Sequence, residues 1–167
     1  MLAAIVLGAS ISAGCSGSST YPAQEYPSAA EQLVSQADLD ALDPSSPQYA
    51  VMDWWRSAQF SDLSGYLAYL TREVRNDLDQ RLVERQLPVL AGGIRTGKPR
   101  ILSVKLDGKK AIVYAKIVFR QPIGATRYVT TTRPQAFRLV RVSGLWRLAD
   151  TYFADSITAA ALGPLEG

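Results

Sequence analysis

The chain of 167 residues contains no histidine, and Cys15 is its only cysteine. Those two absences remove a Ser-His-Asp triad, a Cys-His pair, the usual imidazole or thiolate zinc site and any disulfide within the chain. Chemistry is left to carboxylates, tyrosines, lysines and arginines, and nothing in the sequence asks for a metal or an organic cofactor. Two acids stand among aromatic residues. Asp53 precedes Trp54 and Trp55, while Asp150 alternates with Trp146, Leu148 and Tyr152, which puts those four on one face of a strand. The run Gly92-Gly93-Ile94-Arg95-Thr96-Gly97-Lys98 has the spacing of a phosphate-binding loop. That motif needs Ser or Thr next, a strand before it and a helix after it. Pro99 follows instead and the order of elements is reversed, so the segment reads as a linker between helix and sheet.

Cys15 is the residue with the clearest assignment. Residues 2–13 form an uncharged apolar run, too short for a bilayer span of roughly twenty residues but suited to the core of a signal peptide. It ends in Ile11-Ser12-Ala13-Gly14-Cys15, which resembles a bacterial lipobox, with Ser12 where Leu is usual. No Lys or Arg precedes the run, which points to a start placed too late or a trimmed chain. Residues 1–14 are therefore expected to be a signal peptide. A lipid such as palmitate on Cys15 is expected to hold the protein at the extracytoplasmic face of a bacterial cell membrane.

The elements behind Cys15 follow from composition and period. Residues 16–29 are rich in Ser, Gly, Pro and Ala and read as a flexible tether, extended to residue 45 by a short helix over 30–42 and the breaker Asp43-Pro44-Ser45. The folded domain is expected over 46–167. Ser46 and Pro47 signal a helix start, and Val51, Trp54, Trp55 and Ala58 make its apolar stripe. From Leu63 to Leu82 leucines recur at helical spacing, with a bend between Gly65 and Thr71. Pro88, Gly92 and Gly93 are expected to end the helical half. From residue 100 the period falls to two, with turns at Asp107-Gly108, Pro122–Gly124 and Ser143-Gly144. Four strands, the third over 127–142 and bulged at Pro134, then form an antiparallel meander packed on helices.

Helices, then Phe60-Ser61-Asp62-Leu63-Ser64-Gly65-Tyr66, then a meander closing on Gly144-Leu145-Trp146-Arg147-Leu148-Ala149-Asp150 resembles the nuclear transport factor two-like fold. That superfamily includes ketosteroid isomerases, polyketide cyclases and many exported actinobacterial lipoproteins. The resemblance spans 47–154 and implies an α+β domain whose N-terminal helices pack on a curved four-stranded antiparallel sheet, cone-shaped around an apolar pocket. It implies pocket positions for some of Trp54, Trp55, Tyr66, Tyr69, Tyr114, Tyr128, Phe137, Trp146 and Tyr152, each of which otherwise serves as core. By the same analogy Asp150 or Asp53 is the candidate base of an isomerase- or cyclase-like site, with a tyrosine as donor. Fold alone does not carry that activity, and Asp150 is equally suited to pair with an arginine.

Charge is distributed unevenly. Residues 95–147 hold 13 Lys or Arg and one acid, Asp107, whereas residues 1–94 hold 5 basic and 11 acidic residues. Lys105, Lys116, Arg120, Arg127, Arg138, Arg141 and Arg147 fall on strands, and Lys109 and Lys110 lie by a turn. For a lipid-anchored domain, anionic headgroups or wall polymers are nearer than nucleic acid. A solvated sheet face protected from edge pairing is the other reading. Ile112, Tyr114 and Val118 share one side of their strand, which also suits a homodimer through the sheet. The expected function is thus a noncatalytic envelope lipoprotein that binds a small apolar ligand or a partner protein, with the enzyme as the alternative.

Overall fold

The structure, a computed structural model, describes residues 29–78, 80–123 and 127–150, with the backbone alone at each side of residues 124–126. Helices α1 (Ala29–Gln32), α2 (Gln36–Asp40), α3 (Pro47–Gln59), α4 (Leu63–Ala68), α5 (Arg72–Asp77) and α6 (Gln80–Ile94) precede the strands. These are β1 (Gly97–Asp107), β2 (Lys110–Ile123), β3 (Arg127–Val142) and β4 (Leu145–Leu148), paired antiparallel in the order β1-β2-β3-β4. The result is an α+β architecture: an open four-stranded meander with helices on one face.

α3 is the central helix. Ser46 caps it by accepting the Tyr49 N–H at 3.1 Å, and Pro47 occupies the first turn, where its missing N–H costs nothing. Its buried residues, Ala50, Val51, Trp54, Trp55 and Ala58, recur at helical spacing and face the sheet. From the sheet come Ala111, Val113, Ala115 and Ile117 of β2, Phe137 and Leu139 of β3, and Leu148 of β4, all buried. Trp54 is the hub, edge-on to Trp55 and Phe137 and tilted over Tyr66 with ring centroids 5.3 Å apart.

Several boundaries differ from the sequence reading. The segment before α3 is not a loose tether throughout: Val34 and Leu39 are each 1% exposed and belong to the core. Ser35 breaks the expected single helix, forming a capping box with Asp38 that starts α2. α6 continues through Pro88 to Ile94, because Leu87, Leu90, Ala91 and Ile94 are buried against the core while Pro88 faces solvent. β1 starts at Gly97. β3 runs in unbroken register past Pro134, and the irregularity falls in β1 between Ile101 and Ser103. Pro134 is tolerated because β4 pairs only with Leu139–Val142, leaving β3 an edge strand there. β4 itself ends at Leu148.

Two side chains stitch the layers together. Gln59, 1% exposed, accepts the Val34 N–H at 3.0 Å. Its amide nitrogen lies 2.9 Å from the Gly97 carbonyl, 3.1 Å from that of Ile94 and 3.2 Å from that of Gln32. One buried amide thus joins the α1–α2 link, the end of α6 and the start of β1. Trp146 donates its indole N–H to the Ser45 carbonyl at 3.1 Å, fixing β4 to the loop before α3. The outer edge of β4 is covered in turn: Leu148 N–H donates to Tyr69 O and Thr71 N–H to Leu148 O, at 2.7 and 2.9 Å.

Candidate functional site

Of the two acids singled out in the sequence, Asp53 meets a tyrosine. Asp53 sits on the flank of α3 next to buried Trp54, and Tyr69 is the residue that closes α4. The Tyr69 hydroxyl donates to Asp53 Oδ2 at 2.6 Å, a short charge-assisted bond between two half-buried side chains. Burial is the largest influence on the phenol, followed by the bond to Asp53 and the charge of Asp53. Together they hold its pKa well above the ordinary 10.0, against the opposing pull of Arg147. Tyr69 therefore stays protonated at any ordinary pH, with its proton committed to Asp53. A cleft of about 190 Å³ opens beside it, lined among others by Ser46, Tyr49, Tyr69, Trp146 and Arg147.

That arrangement ties α3 to the end of α4 more readily than it performs proton transfer. A base of the isomerase kind needs a carboxylate inside an apolar pocket, free to reach substrate. Among the described residues the buried polar side chains are Ser57, Gln59 and Thr71, and no acid is with them. The half-buried acids each have a partner: Asp53 has Tyr69, Asp38 has Lys98 at 2.6 Å, and Asp150 has Arg138 at 3.5 Å. No group of three or more acids among the described residues comes together as a metal site would require.

The aromatic residues divide by location. Trp54, Trp55, Tyr66, Phe137 and Trp146 are buried in the core and packed on one another or on the sheet. Tyr69 borders the small cleft, and Tyr114 stands on the opposite face of the sheet, 40% exposed. Tyr128 lies on β3 where only the backbone is described, and Cys15 and Tyr152 fall outside the described residues.

The feature the strands assemble most completely is the sheet face turned away from the helices. The register of β2 puts Ala111, Val113, Ala115 and Ile117 inward and Ile112, Tyr114, Lys116, Val118 and Arg120 outward. Cross-strand partners follow the same sense, so Lys98, Arg100 and Lys105 of β1 and Arg138 of β3 join that face, with Lys110 and Asp107 at its turn. Of the basic strand residues named from sequence, Lys105, Lys116, Arg120 and Arg138 share this face, while Arg147, on the same register, lines the cleft beside Tyr69 at the β4 edge. Arg141 belongs to the inward register and stacks over Trp146, its guanidinium carbon 5.8 Å from the ring centroid. Arg127 begins β3, where the backbone alone is described.

Sequence reasoning missed Lys98, Arg100 and Tyr49. Lys98 was hidden because the strand was expected to begin after it, at Arg100, and Arg100 itself was given no role. The signal was present in Gly97-Lys98-Pro99-Arg100, where buried and outward residues alternate. Two further clefts adjoin the outward face. One of about 680 Å³ lies between α2 and the β1 edge, crossed by the Lys98–Asp38 and Arg120–Glu31 ion pairs. The other, about 350 Å³, is rimmed by Lys105, Asp107, Lys110 and Arg138 with Ile112 and Val140 between them.

No family model matches the chain, and no curated protein matches it. Among solved structures, a SEC-C motif-containing protein from Rhodopseudomonas palustris aligns with a TM-score of 0.49 at 14% identity, over 68% of this chain and 84% of that one. A variant of a function-unknown protein from Mycobacterium tuberculosis aligns with a TM-score of 0.47 at 18% identity, over 70% and 82% of the two chains. Likenesses of this degree carry no functional argument, so function rests on the site.

Proposed function

We propose that this chain is an exported bacterial lipoprotein, anchored through Cys15, whose α+β domain is a noncatalytic binding module of the nuclear transport factor two-like kind. Its working surface is the outward face of the sheet. The observation that carries this reading is the sorting of side chains across the sheet. Large aromatics fill the inward side, whereas cations and a half-exposed tyrosine occupy the other side, which α1 and α2 approach only at its Lys98–Arg120 end. A small-molecule pocket is ordinarily about 300–1,000 Å³ and mostly apolar. The cleft beside the Asp53–Tyr69 pair, at about 190 Å³, falls short of that, and the described clefts that reach it, about 680 and 350 Å³, open beside the outward face.

The enzyme reading keeps one supporting observation, the 2.6 Å approach of Tyr69 to Asp53. It requires Tyr69 to surrender that bond to a substrate small enough for the cleft. Native mass spectrometry of the protein purified from a related host separates the two readings. A clean unliganded mass is expected for the surface-binding module, and a small molecule released on denaturation would favour an enclosed site. The anchor is tested separately by incorporation of labelled palmitate. Cys15→Ser should abolish it, and unchanged labelling would remove the lipoprotein reading.

A further inference from the structure

The outward face has a charge pattern that neither solubility nor folding requires. Its strands are long, β2 having 14 residues, so at roughly 3.3 Å per residue the face extends about 45 Å. Asp107, at the turn, is the one acid between residues 95 and 149. Lys98 and Arg120 are engaged by acids of α1 and α2, and Arg138 by Asp150. Among the described residues, Arg100, Lys105, Lys110 and Lys116 stand with no acid at ion-pair distance and are exposed. Apolar side chains lie between and beyond these cations: half-buried Ile112 and Val140, and exposed Tyr114, Val142 and Leu145. Cations beside apolar tips and a tyrosine are the composition that sits well at a headgroup layer, where phosphates meet the ends of acyl chains.

We propose that this face docks on the anionic lipid surface to which Cys15 is anchored, with lipid phosphates along the row of Lys105, Lys110 and Lys116. The proposal rests on the lipoprotein reading for its orientation, and three observations favour membrane over other partners. The four cations without an acid at ion-pair distance are spread along the face rather than gathered at one point. The cleft of about 350 Å³ lined by Lys105, Lys110 and Arg138 sets three cations against one acid, Asp107, and has apolar walls at Ile112 and Val140. The described chain begins at Ala29 close to this face, since Glu31 reaches Arg120 at 3.1 Å. Ala29 is 14 positions after Cys15, and a chain of that length spans at most roughly 50 Å, so an anchored domain remains within reach of the surface. Two weak attachments then act together, the lipid supplying local concentration and the face supplying orientation.

The test uses the full chain carrying Cys15→Ser, so that no lipid contributes. Cosedimentation is measured with vesicles of phosphatidylcholine alone and of phosphatidylcholine mixed equally with phosphatidylglycerol. Binding is expected only to the mixed vesicles and should fall steeply with salt as the Debye length contracts from about 10 Å at 0.1 M. Each cation near such a surface is worth roughly fivefold in partitioning. Combining Lys105→Gln, Lys110→Gln and Lys116→Gln should therefore weaken binding about 100-fold. Arg72→Gln, Arg81→Gln and Arg85→Gln, exposed on the helical side, remove the same charge and should leave binding nearly unchanged. Equal loss in both variants, equal binding to both vesicles, or no binding overturns the proposal. Retention on a soluble anionic wall polymer without vesicle binding also overturns it, in favour of that polymer. Self-association through the face in place of vesicle binding, seen by sedimentation, overturns it too. Palmitate labelling is scored independently, so failure of the anchor and failure of the face are separate results.

Discussion

Replacing Gln59 by methionine tests whether one amide closes the domain. Methionine has the same length and an apolar end that suits an environment 1% exposed, so no large cavity is opened. What is lost is bonding. The Val34 N–H, in a residue itself 1% exposed, loses its acceptor at 3.0 Å. A buried donor left without a partner costs about 1–3 kcal/mol. The Ile94 carbonyl loses a donor at 3.1 Å, while the Gly97 carbonyl keeps the Trp55 indole N–H at 2.9 Å. Allowing about 1 kcal/mol for the bond at Ile94, the sum is a destabilisation of roughly 2–4 kcal/mol. It should appear in urea unfolding as a lower midpoint at unchanged slope, since the surface exposed on unfolding is the same. Amide exchange at Val34 should accelerate with it, because the α1–α2 link loses its anchor. A loss below about 1 kcal/mol, or unaltered exchange at Val34, would refute the claim that this side chain fastens the segment before α3 to the core.

Gly65→Ala places a Cβ against Asp62 Oδ2 and Ser57 Oγ. A change that ordinarily gains up to about 1 kcal/mol in a helix should instead lower the melting temperature by displacing the Asp62 cap; a stabilised variant would contradict the geometry. Tyr69 has its pKa raised by burial and by Asp53, so its contribution to stability is complete below pH 10.0 and is lost as pH rises beyond that value. Urea midpoints should decline on the alkaline side in the native protein and less so in Tyr69→Phe, and parallel declines would assign the effect elsewhere. Burial would raise the Asp38 carboxyl, but hydrogen bonds from Lys98 and Ser35 and the Lys98 charge outweigh it and leave the pKa below 3.8. The Lys98–Asp38 contact therefore stabilises above that pH and is lost as pH falls further. Amide shifts in α2 should follow this change, and Asp38→Asn should cost no more than about 1 kcal/mol in thermal unfolding.

The elements most legible in the sequence are those whose local chemistry agrees with their packing. Ser46-Pro47 marks the start of α3 because an oxygen acceptor and a preset φ are both used there. Ser143-Gly144 marks a hairpin because both residues adopt positive φ, 51° and 85°, in a two-residue turn. The misread boundaries are those where tertiary contacts override a local signal. Pro88 looks like a helix end, yet four apolar residues around it are held by the core, and the bond it cannot make lies on the exposed side. Residues 30–42 look like tether because their partner is remote in sequence: Gln59, 25 residues from Val34.

The outward face shows how a one-dimensional bias becomes a surface. The basic block in residues 95–147 gives no direction by itself, and its members are spaced irregularly. Direction comes from the apolar residues. Once Ala111, Val113, Ala115 and Ile117 are committed to the core, a period of two leaves Ile112, Tyr114, Lys116 and Val118 no choice of side. Antiparallel register then carries that choice across to Arg100, Lys105 and Arg138. Arg141 escapes because its strand neighbours Val140 and Val142 fall on the outward register, leaving it inward beside Trp146 at the rim. The same reasoning explains why the pairing of Asp53 with Tyr69 was not legible. It spans 16 residues and depends on how α4 leaves α3, a geometry set by Gly65, Asp62 and the packing of Tyr66 under Trp54 rather than by any spacing between the two. Period places faces, whereas pairs such as this one are placed by the turns between elements.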